Sequence, residues 1–278
     1  MSSVSLIRLL HCCLCSIFLY GASAATSQSF SASGGPWLLP EPSSGSGCGN
    51  FTGLDIGIPI AVSGVDRRIT DVRVAITFAP AATWAGDLSA ILTAPNGAST
   101  AIVGRIGANL ATSCGDSSAL SGTYTFVDPN VSSNNIWTAA SGVAGGVTIP
   151  PGTYMTTPIG GVGGANPPAG IPLISVFANL PAAQINGQWI LRLRDSAIGE
   201  RITVAGVTLT LPVDCYDIDG DGQNNPLLDG LITLRAQLGL SGAGVTGGIS
   251  FPGNATRTTW SALRAFMVDS CGMMGVAN

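Results

Sequence analysis

Ile69-Thr70-Asp71-Val72-Arg73-Val74-Ala75-Ile76-Thr77-Phe78 is the stretch on which the fold turns. Val72, Val74, Ile76 and Phe78 fall on one side of an extended chain, and Arg73, Ala75 and Thr77 on the other. Successive side chains of a strand point to opposite faces, so this period of two predicts a β-strand with one buried face. Downstream, Leu88–Thr93 reads as a second strand ending at Pro95-Asn96-Gly97. Proline fixes φ and Asn-Gly tolerates positive φ, so the chain should turn back there as a hairpin into Ser99–Val103. Much later, Trp189, Leu191 and Leu193 alternate with Gln188, Ile190 and Arg192. Arg201–Leu211 closes the series, with Ile202 and Val204 on one phase and Val207, Leu209 and Leu211 on the other. The slip at Ala205-Gly206 predicts a bulge. Between about 104 and 170 the pattern dissolves into Gly, Ser, Asn and Pro, and the reading there is long loops.

Composition agrees with a mainly β fold. The 278 residues include 38 Gly and 17 Pro, and only 9% are charged. Short strands joined by Gly/Pro-rich turns have this make-up. The length suits one medium domain and one small one. At the start, Arg8, the apolar run Leu9 to Tyr20 and the small residues Ala22-Ser23-Ala24 read as a secretory signal over 1–24. Its apolar core is too short to span a bilayer, so the expectation is a secreted or cell-surface protein with no membrane span once the signal is removed. Residues 25–50, rich in Ser, Gly and Pro, read as a loosely ordered lead-in tied down at Cys48.

Four cysteines follow the signal: Cys48, Cys114, Cys215 and Cys271. An even count in an exported chain suggests disulfides, and three connectivities are open. Cys48–Cys114 and Cys215–Cys271 is the favoured arrangement, because the second pair would bracket a whole module. Zinc is disfavoured, since no two of these cysteines are close in sequence and the one histidine, His11, lies in the signal. Removing the signal takes away Arg8 and leaves ten arginines against fifteen acids, a net charge of −5. That balance, with no basic cluster, excludes nucleic-acid binding.

From 214 the character changes. Asp217-Ile218-Asp219-Gly220-Asp221-Gly222 sets three carboxylates at alternate positions with a glycine at the sixth. Hard oxygen donors at positions 1, 3 and 5 and a turn-making glycine at 6 open an EF-hand-type calcium loop; the competing reading is an acidic surface turn. The calcium reading assigns side-chain oxygens of Asp217, Asp219 and Asp221, the backbone carbonyl of Gln223, and Asp229 as the closing, bidentate ligand. Leu231–Leu238 follows, apolar at helical spacing and stopped by Gly239. A second helical stretch runs over about Thr258–Val268, and the two helices are expected to pack together around the loop.

Two family resemblances cover most of the chain. Over roughly 60–212, Trp84-Ala85-Gly86-Asp87-Leu88, Leu92-Thr93-Ala94-Pro95-Asn96-Gly97 and later Gly187-Gln188-Trp189-Ile190-Leu191-Arg192-Leu193-Arg194-Asp195 come in an order that resembles the P domain (Homo B domain). This domain accompanies the catalytic domain of kexin- and furin-like subtilisin convertases. The resemblance implies a jelly-roll-like β-sandwich over 51–212 that serves as an accessory to a serine endopeptidase. The family usually has a histidine shortly before Gly-Asp-Leu; here that region reads Ala81-Ala82-Thr83-Trp84. Over about 214–270, the acidic loop followed by Asp229-Gly230-Leu231-Ile232-Thr233-Leu234-Arg235 is similar to dockerin-type calcium repeats. It implies a small α-helical calcium-loop module over 213–278, a cohesin-like partner and a bacterial source. This chain departs from the repeat in two ways: Asp229 falls at loop position thirteen, and no second acidic loop follows.

Catalysis finds no support in the residues. Serine, cysteine and threonine nucleophiles need a base, and after the signal the chain has neither histidine nor lysine. Asp195 and Glu200 are the best-spaced carboxylate pair outside the acidic loop and read as flanking a turn. Asp87 and Asp128 read as caps for local backbone N–H groups, with a loop calcium site, as the P-domain resemblance implies for some members, the alternative. Trp84 and Trp137 read as core or loop anchors, with sugar stacking as the alternative. No catalytic residue is assigned. Three function classes remain: a binding module, an accessory of a secreted subtilisin-like protease, and a component that associates with carbohydrate.

Overall fold

The computed structural model describes residues 27–42, 55–65, 68–161, 163–177, 180, 182–199 and 201–277. The expected signal at 1–24, Cys48 and Glu200 lie outside them. Two compact units divide the chain, one over Ser27–Val213 and the other carrying Asp214 onward.

The first unit is a β-sandwich. Its strands are β1 (Ser27–Ser31), β2 (Trp37–Leu38), β3 (Ile56–Val62), β4 (Arg73–Ala82), β5 (Leu88–Thr93), β6 (Ser99–Gly104), β7 (Leu120–Val127), β8 (Gly152–Met155), β9 (Gly187–Asp195) and β10 (Thr203–Pro212). One sheet has the order β1-β10-β4-β7-β8 with β2 beside β10, and the other has the order β3-β9-β5-β6. The pairings are antiparallel except β7 with β8. Short helices α1 (Ile136–Ser141), α2 (Ile174–Phe177) and α3 (Ala182–Ile185) occupy the connections.

The alternation in 69–78 places the core as expected. Val72, Val74, Ile76 and Phe78 are buried on the inner face of β4. Its neighbour β10 contributes Val204, Val207, Leu209 and Leu211, with a register shift between Val204 and Gly206. That bulge lets both phases of β10 face inward, because one extra residue resets the side-chain alternation. From the opposite sheet, Leu92 of β5 and Trp189, Leu191 and Leu193 of β9 enter the same hydrophobic cluster. The Trp189 Nε1–H donates to the Ile185 carbonyl at 2.8 Å, and its ring lies 5.1 Å from that of Phe177. The expected hairpin is present: β5 pairs with β6, and Gly97 takes a φ of +87° at the turn.

Two expectations are corrected. The lead-in reading fails for residues 27–42. Strand β1 pairs with β10 from Ser27↔Pro212 to Ser31↔Thr208, and Leu39 is fully buried. This edge strand was hidden because its outer face is serine: Ser29 and Ser31 form hydroxyl pairs with Thr210 (2.9 Å) and Thr208 (3.1 Å). Cross-strand hydroxyl pairs stabilise a sheet without leaving a hydrophobic trace in the sequence. The long-loop reading of 104–170 also fails, since β7 is an interior strand between β4 and β8. Tyr124 and Phe126 point into the core, whereas Gly122 breaks the alternation at the position where Pro151 packs against the backbone.

In the second unit α4 (Asp229–Gln237), α5 (Ala243–Thr246) and α6 (Trp260–Ala265) are followed by a π-turn over Phe266–Ser270. Gly239, at a φ of +83°, ends α4 in the left-handed conformation that favours glycine there. Thr259 caps α6 by accepting from the Ala262 N–H. The helices share a small core of Ile218, Ile232, Ala236, Val245, Leu263, Phe266 and Met267, to which α5 supplies Val245. The Cys215–Cys271 disulfide closes this unit, with Cα atoms 5.8 Å apart across 56 positions. Closing a loop of that size stabilises a fold by about 4 kcal/mol, a large share for so small a core. Cys114 is also disulfide-bonded. Among the described residues no helix is long and apolar enough to cross a membrane.

Trp189→Ala should destabilise the sandwich by about 3–5 kcal/mol, because it empties a fully buried site and strips the Ile185 carbonyl of its donor. The check is urea denaturation followed by far-UV circular dichroism, read as a lowered midpoint.

Candidate metal centre

The loop at 217–223 is built from its own carboxylates. Asp217 accepts from the N–H of Gly220 at Oδ1 (2.8 Å) and of Gly222 at Oδ2 (3.1 Å). Asp219 Oδ1 accepts from the Asp221 N–H (3.1 Å), and Asp221 Oδ1 from the Gln223 N–H (2.7 Å). Asp229, the first residue of α4, reaches back: its Oδ1 accepts from Ile218 and Asp219 (2.8 and 3.2 Å) and its Oδ2 from Asn225 (2.8 Å). Asn225 in turn accepts from the Leu227 N–H at the start of the helix. This folding-back is how a carboxylate at loop position thirteen still meets those at positions one and three. Gly220 and Gly222 both adopt positive φ, +76° and +86°, which lets the ribbon curl so tightly.

Asp217, Asp219 and Asp229 converge, with one carboxylate oxygen from each within 4.8 Å of the others, and all three are buried. Asp221 stands outside this group, half-buried, and Gln223 is exposed at the rim. Asp219 is 0% exposed and its Oδ2 has no hydrogen-bond partner. A buried carboxylate oxygen without a donor is costly, and two further carboxylates beside it raise the cost. Burial pushes the Asp219 carboxyl up to about 6, with the Asp221, Asp229 and Asp217 charges adding and the Asp221 N–H opposing. Asp217 is raised as well, chiefly by burial, against the pull of Arg257 and of the Gly222 and Gly220 N–H groups. All the donors are hard oxygens, with no nitrogen or sulfur, so the set fits calcium or magnesium and does not fit a soft transition metal.

The other residues singled out in the sequence have structural surroundings. Asp128 braces a loop, its Oδ1 accepting from Asn130 and its Oδ2 from Ile174, in keeping with a capping role. Trp137 is buried in the core of the sandwich, whereas Trp84 is 38% exposed with a φ of +59°. Asp87 sits in a different setting. Asp87 and Asp195 are both buried, and the Ser196 N–H donates to the Asp87 carbonyl at 2.9 Å. The Asp87 carboxyl is pushed up to about 7 by burial and by Asp195, against the attraction of Arg105. Asp195 rises to about 6 through burial, with the Ala197 N–H opposing and Glu41 adding. Sequence reasoning missed this grouping because Asp87 and Asp195 become neighbours only through the β5–β9 pairing, in which Leu88 faces Asp195.

These two carboxyls set a pH dependence for the sandwich. Their pKa values are raised on folding, so the native state holds protons that the unfolded chain releases near pH 4. Stability is therefore full below that point and declines as pH climbs through 6 and 7. The urea midpoint should fall from pH 5 to pH 8, and Asp87→Asn should flatten the fall. An equal slope in this variant would remove Asp87 as the source.

No protein-family model matches the chain, and no curated protein is similar to it. Among solved structures, it is similar to a chain of the Aeromonas sobria serine protease and chaperone complex at 11% identity and a TM-score of 0.28, over 68% of this chain and 26% of that one. A structure of infectious bursal disease virus, Gx strain, shows 10% identity and a TM-score of 0.19, over 90% of this chain and 54% of that one. The chain thus spans about a quarter of the length of the first and about half that of the second.

Proposed function

We propose that this chain is an exported, non-catalytic binding protein whose C-terminal unit takes one calcium ion on Asp217, Asp219 and Asp229. The observation that carries the reading is the buried, donorless Asp219 Oδ2 beside two other buried carboxylates. A divalent cation there would satisfy the orphaned oxygen and offset the mutual repulsion of the group. Binding the folded form alone, calcium would also stabilise the unit by mass action.

The rest of the molecule suits a binder. A concavity lined by Asp55, Ser89, Ile91, Ile159, Arg192 and Arg194 encloses about 80 Å³, well short of what an organic substrate fills. By contrast, Leu227, Leu231, Leu234 and Leu238 stand exposed at spacings of four, three and four along α4 and its flanks. An exposed apolar stripe on a helix is a docking feature, and it supports a protein partner for the tail. The P-domain and dockerin resemblances supply the candidates: a secreted subtilisin-like endopeptidase for the sandwich and a cohesin-like module for the tail. Carbohydrate is the alternative ligand, with the exposed Trp84 ring as its stacking surface.

Calorimetric titration of calcium into the metal-stripped protein should show one site. Asp219→Asn should weaken it at least 100-fold, and Asp221→Asn less than tenfold, because only the former belongs to the convergent group. The absence of heat with the wild-type protein would reduce the loop to an acidic turn.

A further inference from the structure

The carboxylates account for one edge of the loop ribbon, and the opposite edge has a different owner. Five successive carbonyls, from residue 217 to residue 221, are each held by the segment 254–257. Arg257 Nη2 donates to the Asp217 carbonyl (2.5 Å), and Arg257 Nε to that of Ile218 (2.7 Å). The Arg257 backbone N–H donates to the Asp219 carbonyl (2.8 Å). Thr256 Oγ1 donates to Gly220 (3.3 Å) and Asn254 Nδ2 to Asp221 (2.7 Å). The Arg257 guanidinium also lies 3.8 Å from the centre of the Phe266 ring, which ties the segment to the π-turn and to the small core. Room for this approach depends on Gly220, where a Cβ would collide with Thr256 Oγ1 and the Arg257 guanidinium.

We propose that Asn254–Arg257 is a built-in brace that holds the carboxylate loop in its cation-ready shape without metal, with Arg257 as the positioning residue. The inference rests on the reading of the loop as a cation site. Arginine offers a planar fork of donors that grips carboxylates bidentately when free to do so. Here Nε and Nη2 go to main-chain carbonyls, and Nη2 stays 4.0 Å from Asp217 Oδ1. The carboxylate oxygens therefore stay turned toward one another, where an ion would sit, while the fixed positive charge behind the ribbon moderates their repulsion. A loop ordered in advance binds its ion without the entropic cost of folding around it.

The test is amide hydrogen exchange on the full chain in chelator, with no calcium present, so that a failure of calcium binding does not bear on it. The Gly220, Asp221 and Gly222 amides should be protected in the wild-type protein. Arg257→Gln should speed their exchange at least tenfold while the β4 and β10 amides stay unchanged. Arg257→Lys should resemble Gln, because one ammonium cannot span two carbonyls. Thr256→Val, which removes a single peripheral bond, should give a smaller increase and guards against a general loss of the fold. Unprotected loop amides in the wild-type protein, or unchanged exchange in Arg257→Gln, would overturn the proposal.

Discussion

Mutual repulsion among Asp217, Asp219 and Asp229 is the constraint around which the C-terminal unit is arranged. Three carboxylates buried within 4.8 Å of one another would drive the chain apart if nothing opposed them. The chain opposes them with its own backbone. The amides of residues 218–223 all point to carboxylates, and the carbonyls of 217–221 all point to 254–257. Such a one-sided ribbon presents a concave row of N–H dipoles to the negative charge, as anion-binding backbone nests do. The positive φ of Gly220 and Gly222 makes that curvature accessible, and the Cys215–Cys271 disulfide fixes the two ends of the unit.

The sandwich rests on a simpler principle, and its legibility in the sequence follows from that. Strands whose inner face is aliphatic and whose outer face is polar announce themselves by period two, and β4, β5, β9 and β10 were all readable on that basis. Even the bulge in β10 was visible as a phase slip at Ala205-Gly206. Strand β3 was missed although Ile58, Ile60 and Val62 alternate with Pro59 and Ala61, but three others that escaped notice lack the contrast. Strand β1 places only Phe30 against the core and meets β10 through serine and threonine hydroxyls. In β7 the contrast is present at Tyr124 and Phe126 but is lost at Gly122, whose missing side chain makes way for Pro151. Strand β8 is four residues long and pairs in parallel, which no local turn signal reports.

The acidic cluster was legible in its residues but not in their arrangement. Alternate aspartates predict converging oxygens, yet the spacing alone cannot tell that Asp221 turns to the Gln223 N–H while Asp229 folds back from the helix. That outcome depends on where α4 begins, two residues before the leucine pattern would start it. The brace at 254–257 carried no sequence signal at all, since Asn, Thr and Arg after a proline-glycine turn are ordinary loop residues. Only the contacts across 33 to 40 positions give them a role.

Two buried acidic groupings in one chain differ in how much negative charge the chain itself leaves uncompensated. In the sandwich, Asp87 has both Asp195 and Arg105 acting on it, and Arg105 is itself fully buried; two carboxylates and one guanidinium leave an excess of one negative charge. Burial and the neighbouring charge favour the neutral form there, with Asp87 pushed up to about 7 and Asp195 to about 6. In the tail, three carboxylates share one guanidinium, which lies 4.0 Å from Asp217 and is occupied with carbonyls, leaving an excess of two. One proton is too little there, and the divalent ion of the proposed reading would match the excess. The same elements, buried aspartates and an arginine, thus give a carboxyl pair raised toward neutral pH in one unit and the proposed divalent-cation site in the other, separated by a single carboxylate.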